Sequence, residues 1–277
     1  MIVADVKQVS PRVSPARNLS LDVIRGLLAW MIVLVHVAWL SGLTHSGTRA
    51  AIGSWAVEAF MVLAGYVAVM SYRPEPYLRY LAKRFWRIVP VLAVCWIVSL
   101  IVRTTLVPAW FIILLVQFYL VLPGLIWAIN RYGKRVLGLL LVLSLAFMLP
   151  VSYGVMQRLA PMGELLPMNL FWFVIGMCIF YLSDCRVLEE LSVQSQKFTL
   201  LIGLGELSYS TYLVHWPILF GLSSHLPGSL PNPARMALLI VPGLPLVALA
   251  SLMLNQWVEL PGIQLGKRMT ANCRRER

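Results

Sequence analysis

The sequence predicts an all-α polytopic membrane bundle of about eight or more spans with both termini on the cytoplasmic side, and three observations predict it. Of 277 residues, 60% are hydrophobic and 12% charged, a balance that would leave a soluble globule with more apolar surface than it can bury. Apolar runs close to the roughly 20 residues needed to cross a bilayer recur along the whole chain. The cations gather on alternate connections between those runs, which is the positive-inside pattern.

Taken in order, the first run covers about 19–43. It is too long for a removable signal sequence, holds ionisable residues and lacks a small-residue cleavage pattern, so it stays as the first span. The second, about 50–72, contains Glu58. The third, about 88–107, follows the most basic short loop, with Arg73, Arg79, Lys83, Arg84 and Arg87. The fourth (109–129), fifth (136–151) and sixth (168–183) are apolar throughout most of their length. The seventh, about 205–225, is the most polar in pattern, and the eighth, about 235–257, has two prolines inside it. With both ends inside, the segments before span 1, between spans 2 and 3, 4 and 5, 6 and 7, and after span 8 hold three, five, three, two and five Lys or Arg. The other side holds only Arg49, Arg103, Arg158 and Arg235, with Arg25 inside the first span.

The formal net charge of +12 therefore follows topology and anionic lipid headgroups, and not nucleic acid. Residues 1–18 form a cytoplasmic N-terminal tail and 267–277 a basic cytoplasmic C-terminal tail. The connections are too short for a folded soluble domain and no internal repeat is visible, so residues 1–277 make a single membrane domain. Cys95, Cys178, Cys185 and Cys273 lack metal-type spacing and lie mostly in or near apolar runs, where small buried thiols are common; no metal site is expected. The sequon at Asn18 falls on the cytoplasmic side and is discounted.

The first span raises the functional question. Arg25 and His36 are 11 positions apart, which on a helix is about three turns plus roughly 20°, so both point the same way. Asp22, Gly26, Ala29 and Val33 complete that face, and its small residues let a helix or ligand approach closely. Charges inside a span cost on the order of 3 kcal/mol each on insertion scales, so they persist where they bind or conduct something. Asp22 and Arg25, one turn apart, pair at the helix end or act in function. His36 lies about 21 Å beyond Asp22 along the axis. Glu58, on the returning span, shares its depth, and a carboxylate beside an imidazole is the arrangement of a general base. The alternative for Glu58 is a protonated, buried acid bonded to backbone.

Several stretches carry a resemblance. "LSLDVIRGLLAWMIVLVHVAW" resembles the first span of the acyltransferase-three family, integral-membrane O-acyltransferases related to O-antigen acetylases, whose hallmark is an Arg, ten residues, then a His; Arg25 and His36 match. "VEAFMVLAGY" (57–66) is similar to the family's Val-Asp-x-Phe-Phe-Val-Leu-Ser-Gly-Phe, with Glu58 for Asp and Ala64 for Ser. "RFWRIVP" (84–90) resembles Arg-x-x-Arg-Ile-x-Pro, and "AWFIILLVQFYLVLP" (109–123) a helix in which Gln117 stands near a position where many members carry Glu. "LGELSYSTYLVHWPI" (204–218) is similar to Gly-x-x-Ser-Tyr-x-x-Tyr-Leu-x-His-x-Pro, and "VELPGIQLGKR" (258–268) to a terminal Glu-x-Pro segment. The six occur in the family's order; relatives usually show more spans than eight.

The resemblance implies transfer of an acyl group, acetyl first, from cytoplasmic acyl-CoA to a hydroxyl of an envelope polysaccharide or lipid-linked sugar, in a bacterial inner membrane. It implies His36 as base with Glu58 holding its imidazole, and a donor site near Arg25. Arg84 and Arg87, one turn apart in the basic cytoplasmic segment, are suited to sharing phosphate oxygens. Tyr119, Tyr212 and His215 are candidates for the acceptor cavity, and His215 is the second choice of base. Acyl-CoA enters as a co-substrate, with no permanently bound cofactor; membrane lipids, the donor and a glycan are the partners. No Ser or Cys nucleophile with an adjacent base is evident, which favours direct transfer. The competing class is a proton-coupled transporter or flippase of a sugar-like substrate, which would also keep Asp, Arg, His and Glu inside spans.

Overall fold

The computed structural model describes residues 19–43, 46–104, 109–147, 149, 166–182 and 199–272. The N-terminal tail 1–18, residues 273–277, Cys185 and Cys273 lie outside the described residues. The described elements are helices, without a strand: α1 (Leu19–Leu40), α2 (Ser46–Ser71), α3 (Tyr77–Ile101), α4 (Ala109–Tyr132), α5 (Arg135–Phe147), α6 (Leu166–Leu182), α7 (Thr199–Glu206) and α8 (Ser208–Ser224). A final rod joins α9 (Asn232–Leu238), α10 (Leu244–Leu254) and α11 (Leu260–Asn272) through π turns at Leu239–Gly243 and Asn255–Glu259.

Four of these helices are long and apolar enough to cross a membrane: Ser20–Leu40, Tyr77–Ile101, Trp110–Tyr132 and Asn232–Ala271. They coincide with the first, third, fourth and eighth expected spans, and the chain reads as an integral membrane protein. Trp55–Ser71, Arg135–Phe147 and Leu166–Leu182 are shorter apolar helices. The seventh expected span, about 205–225, coincides with α8, which α7 precedes and meets at Leu207. Its neighbour α1 ends cleanly: Gly42, at φ 74°, takes the left-handed turn, and Leu43 N–H returns to Ala38 O at 3.2 Å, a helix stop that glycine permits at no steric cost.

Two boundaries differ from expectation. The basic segment 73–87 is largely helix and not loop, because α3 starts at Tyr77, directly after Pro76. Proline fits a helix start, where its missing N–H is not needed, and Tyr80, Ile88, Val91 and Cys95 form one buried stripe at helical spacing while the cations sit on the other faces. The basic C-terminal tail is likewise helical as far as Asn272, and α11 packs antiparallel on α3. Arg79 Nη2 donates to the Thr270 carbonyl oxygen near the end of α11, and Trp86 seats against Gly262 and Gly266. Pro90 has no N–H to give the Trp86 carbonyl, and that oxygen faces Gly262, where an ideal Cβ would stand 2.6 Å away.

The described residues fall into two compact units, one from those within Met1–Leu21, Ala59–Arg73 and Trp110–Thr199, the other from those within Asp22–Glu58, Pro74–Ala109 and Leu200–Arg277. In the first, α2 and α6 cross backbone to backbone: a Cβ on Gly65 would meet Phe173 O at 2.1 Å, and one on Gly176 would meet Val62 O at 1.9 Å. Phe118 and Phe173 stack at 3.8 Å beside that crossing. In the second unit α8 is the interior helix, buried on every side from Ser210 to Pro217, with α3 and the rod packed around it.

Candidate active site

The site is built on α1 and α8 of the second unit. His36 turns its Nδ1 back onto the Ile32 carbonyl oxygen, one turn earlier on its own helix, at 2.8 Å. His215 does the same on α8, with Nδ1 3.1 Å from Thr211 O. A ring nitrogen facing a carbonyl must carry the proton, so each neutral imidazole is the Nδ1–H tautomer and presents a lone pair at Nε2. The two rings lie 5.0 Å apart, centre to centre.

Aromatic side chains close round them. Trp216 meets His36 edge-on at 5.2 Å and stacks on Trp39, also at 5.2 Å and with planes 18° apart. Tyr212, buried, has its ring 6.0 Å from His215. His215 and Trp216 are sealed from solvent, whereas Trp39 is 37% exposed, so the aromatic wall runs from the surface to the buried pair.

Glu58 makes no hydrogen bond or ion pair among the described residues, and His36 Nδ1 faces Ile32 O. Equal depth in two spans does not fix which way each helix turns its side chain; the imidazole's neighbour is a residue of α8 instead. Arg25 pairs with Asp22 at 3.6 Å, the helix-end pairing.

On α3, Arg84 lies over the Tyr80 ring at 5.2 Å, and Arg87 follows one turn later. Lys83 pairs with Glu75 and Arg79 is engaged with Thr270. Tyr119 belongs to the first unit. So does Gln117, whose Oε1 accepts the Leu166 N–H at 3.0 Å and so satisfies the first donor of α6, a structural use.

A buried carboxylate that sequence reading quoted but gave no role is Glu259, in the second π turn. It accepts from Ser210 Oγ at 2.8 Å and from Asn255 Nδ2 at 3.1 Å. Tyr209 OH, from the same motif, donates to Ile88 O at 2.9 Å. The signal was present: a lone acid in "LNQWVELP" inside an apolar run needs a polar partner from another helix.

No curated protein and no solved structure matches the chain. Residues 18–106, from the start of α1 through the end of α3 and including Arg25, His36, Glu58, Arg84 and Arg87, match the family model of an acyltransferase domain, Acyl_transf_3, which is the acyltransferase-three family that the motifs of those helices resemble.

Proposed function

We propose that the chain is a membrane-bound O-acyltransferase. It moves an acyl group, acetyl as first choice, from cytoplasmic acyl-CoA to a hydroxyl of an envelope glycan or lipid-linked sugar across eight spans of a bacterial inner membrane, both termini inside. His36 is the general base. The observation that supports it most is the fixed tautomer of His36: with Nδ1 on Ile32 O, Nε2 is the basic nitrogen, held on a helix that the acyltransferase match covers.

As the acceptor oxygen attacks the thioester carbonyl, its proton passes to His36 Nε2, the carbon–sulfur bond breaks, and the proton returns to the departing CoA sulfur. Arg84 and Arg87 hold donor phosphates, and Arg25 stands near the entrance of the pantetheine arm. Glu58 contributes no more than the field of its carboxylate. Tyr212 and His215 line the acceptor side.

The test joins two measurements. Purified protein binds CoA at equilibrium, and mass spectrometry of envelope glycans finds acylation in cells carrying the wild-type protein but not His36→Ala. Absence of CoA binding by the wild-type protein would overturn the reading in favour of transport.

A further inference from the structure

The antiparallel pair of α3 and α11 has one apolar flank and one cationic flank. Gly262 and Gly266 of α11 meet α3 at Trp86, and Thr270 meets it at Arg79. Going round each helix from that seam at about 100° per residue, one flank carries Leu78 and Phe85 of α3 and Leu265 and Met269 of α11, all exposed. The other carries Arg84 and Arg87 of α3 and the exposed Lys267 of α11, because in antiparallel helices equal turns in one sense reach the same flank. Arg268 faces away from α3. Levels follow from α8, which runs alongside α3 from Tyr209 on Ile88 O at 2.9 Å to Gly221 beside Val102; Glu259 is tied to Ser210 in the same turn. Residues 77–87 and 260–272 therefore run on past the start of α8. Outward along them come Arg87, Arg84 and then Lys267, which falls between the Gly266–Trp86 and Thr270–Arg79 contacts. These two stretches hold six cations and no acid, a field that draws anions.

We propose that Lys267 completes the donor site by holding the 3′-phosphate of CoA, so that α11 selects full CoA over pantetheine donors that lack this group. This rests on the acyl-CoA reading above, in which Arg84 and Arg87 hold donor phosphates and the thioester lies at His36. CoA is a linear ligand: thioester, pantetheine arm, diphosphate, then a ribose with its 3′-phosphate. The outward order Arg87, Arg84, Lys267 follows that sequence. Two guanidinium forks suit the oxygens of the diphosphate, and an ammonium, a compact point charge, suits the terminal monoester. The phosphate could also be that of a lipid headgroup, and the flanks decide against it. In an amphipathic element the apolar side enters the membrane; here that side is the one with Leu78, Phe85, Leu265 and Met269, while Arg84, Arg87 and Lys267 lie on the other, where Arg84 covers the Tyr80 ring.

The experiment measures equilibrium binding of CoA and of 3′-dephospho-CoA to the full-length protein in nanodiscs of phosphatidylcholine, and again with phosphatidylglycerol added. The wild-type protein should bind CoA about 10–100-fold more tightly than 3′-dephospho-CoA, the worth of one charge-assisted contact. Lys267→Gln should bring the two affinities together by weakening CoA alone, and Arg268→Gln should leave their ratio as it was. Equal wild-type affinities, or a Lys267→Gln variant that keeps the wild-type ratio or weakens both ligands alike, overturns the proposal. A ratio untouched by Lys267→Gln in a variant that has lost the effect of phosphatidylglycerol on its melting temperature overturns it in favour of a headgroup contact. Lys267→Met, which keeps the length of the side chain without its charge, serves if Lys267→Gln does not accumulate, and if neither does, the wild-type ratio decides. Absence of CoA binding by the wild-type protein overturns the acyl-CoA reading itself, whereas CoA binding without preference for the 3′-phosphate overturns this inference alone.

Discussion

Gly205 of α7 lies against the backbone of Asp22 on α1, so close that an ideal Cβ would stand 2.0 Å from the Asp22 carbonyl oxygen. The contact is reciprocal: a Cβ on Gly26 would be 2.7 Å from Gly205 N. The crossing fixes the helix that carries His36 at the level where Asp22 and Arg25 pair.

Gly205→Ala should therefore destabilise the protein by about 1–3 kcal/mol, as overpacking does, because the obstacle is backbone and cannot rotate away. Gly203, on the same helix, has nothing within 4 Å of its Cβ position. Gly203→Ala should be neutral or slightly stabilising through helix propensity. Thermal unfolding of the two variants in detergent checks the pair; equal behaviour would mean that α1 and α7 are not in backbone contact.

How legible was this in the sequence? The small-residue face of α1 was readable, since Asp22, Gly26 and Ala29 recur at helical spacing, and it is the face that meets α7 at Gly26. The start of α3 was not. Arg79, Lys83, Arg84 and Arg87 lower the hydropathy of a window enough to look like loop, while the helical period of Tyr80, Ile88 and Val91 is invisible to an average. The partner of His36 was least legible. Depth in the membrane suggested Glu58, but which side chain faces an imidazole depends on how α8 rotates against α1, and no local pattern records that. The motif "SYSTYLVHWPI" held the answer without stating it, because a helix buried on all sides yet rich in Ser, Thr, Tyr and His can only place those groups against other helices.

The Glu259 cluster should be structural and strongly coupled. Glu259→Ala strands two buried donors, Ser210 Oγ and Asn255 Nδ2, and should cost several kcal/mol, since each unsatisfied buried group costs about 1–3 kcal/mol. Adding Ser210→Ala should cost less than in the parent protein. Additive losses in that double-mutant cycle of unfolding midpoints would show that the two side chains do not interact.

On α3 the cations should separate by use. Arg79→Ala removes the donor to Thr270 O and should lower stability while leaving acyl-CoA affinity near normal. Arg84→Ala with Arg87→Ala should weaken acyl-CoA binding, because a charge-assisted phosphate contact is worth roughly 1.5–3 kcal/mol. Equilibrium binding beside unfolding curves checks both. Unchanged affinity in the double variant would reduce Arg84 and Arg87 to lipid anchors.

Sidedness can be read from engineered cysteines. A membrane-impermeant thiol reagent added outside should label positions in 226–234 and fail at 74–83 and 268–272. The latter two segments lie together in the structure through Arg79 and Thr270, so they must respond alike. Labelling of one without the other would contradict the α3–α11 pairing, and outside labelling of both would invert the topology and move the donor site with it.

His36→Ala and Glu58→Gln should differ more than the sequence alone suggested. If Glu58 oriented the imidazole, its loss would approach the loss of the base itself. In the structure Ile32 O does the orienting, and a backbone carbonyl is untouched by any substitution at position 58. His36→Ala should thus lower acyl transfer by about 10²–10⁴-fold, the ordinary worth of a general base, with CoA binding kept, whereas Glu58→Gln should cost only a few-fold. The comparison needs the rates of both variants measured at one saturating acetyl-CoA concentration in the same vesicles. A Glu58→Gln defect as deep as that of His36→Ala would return the carboxylate to the base's side.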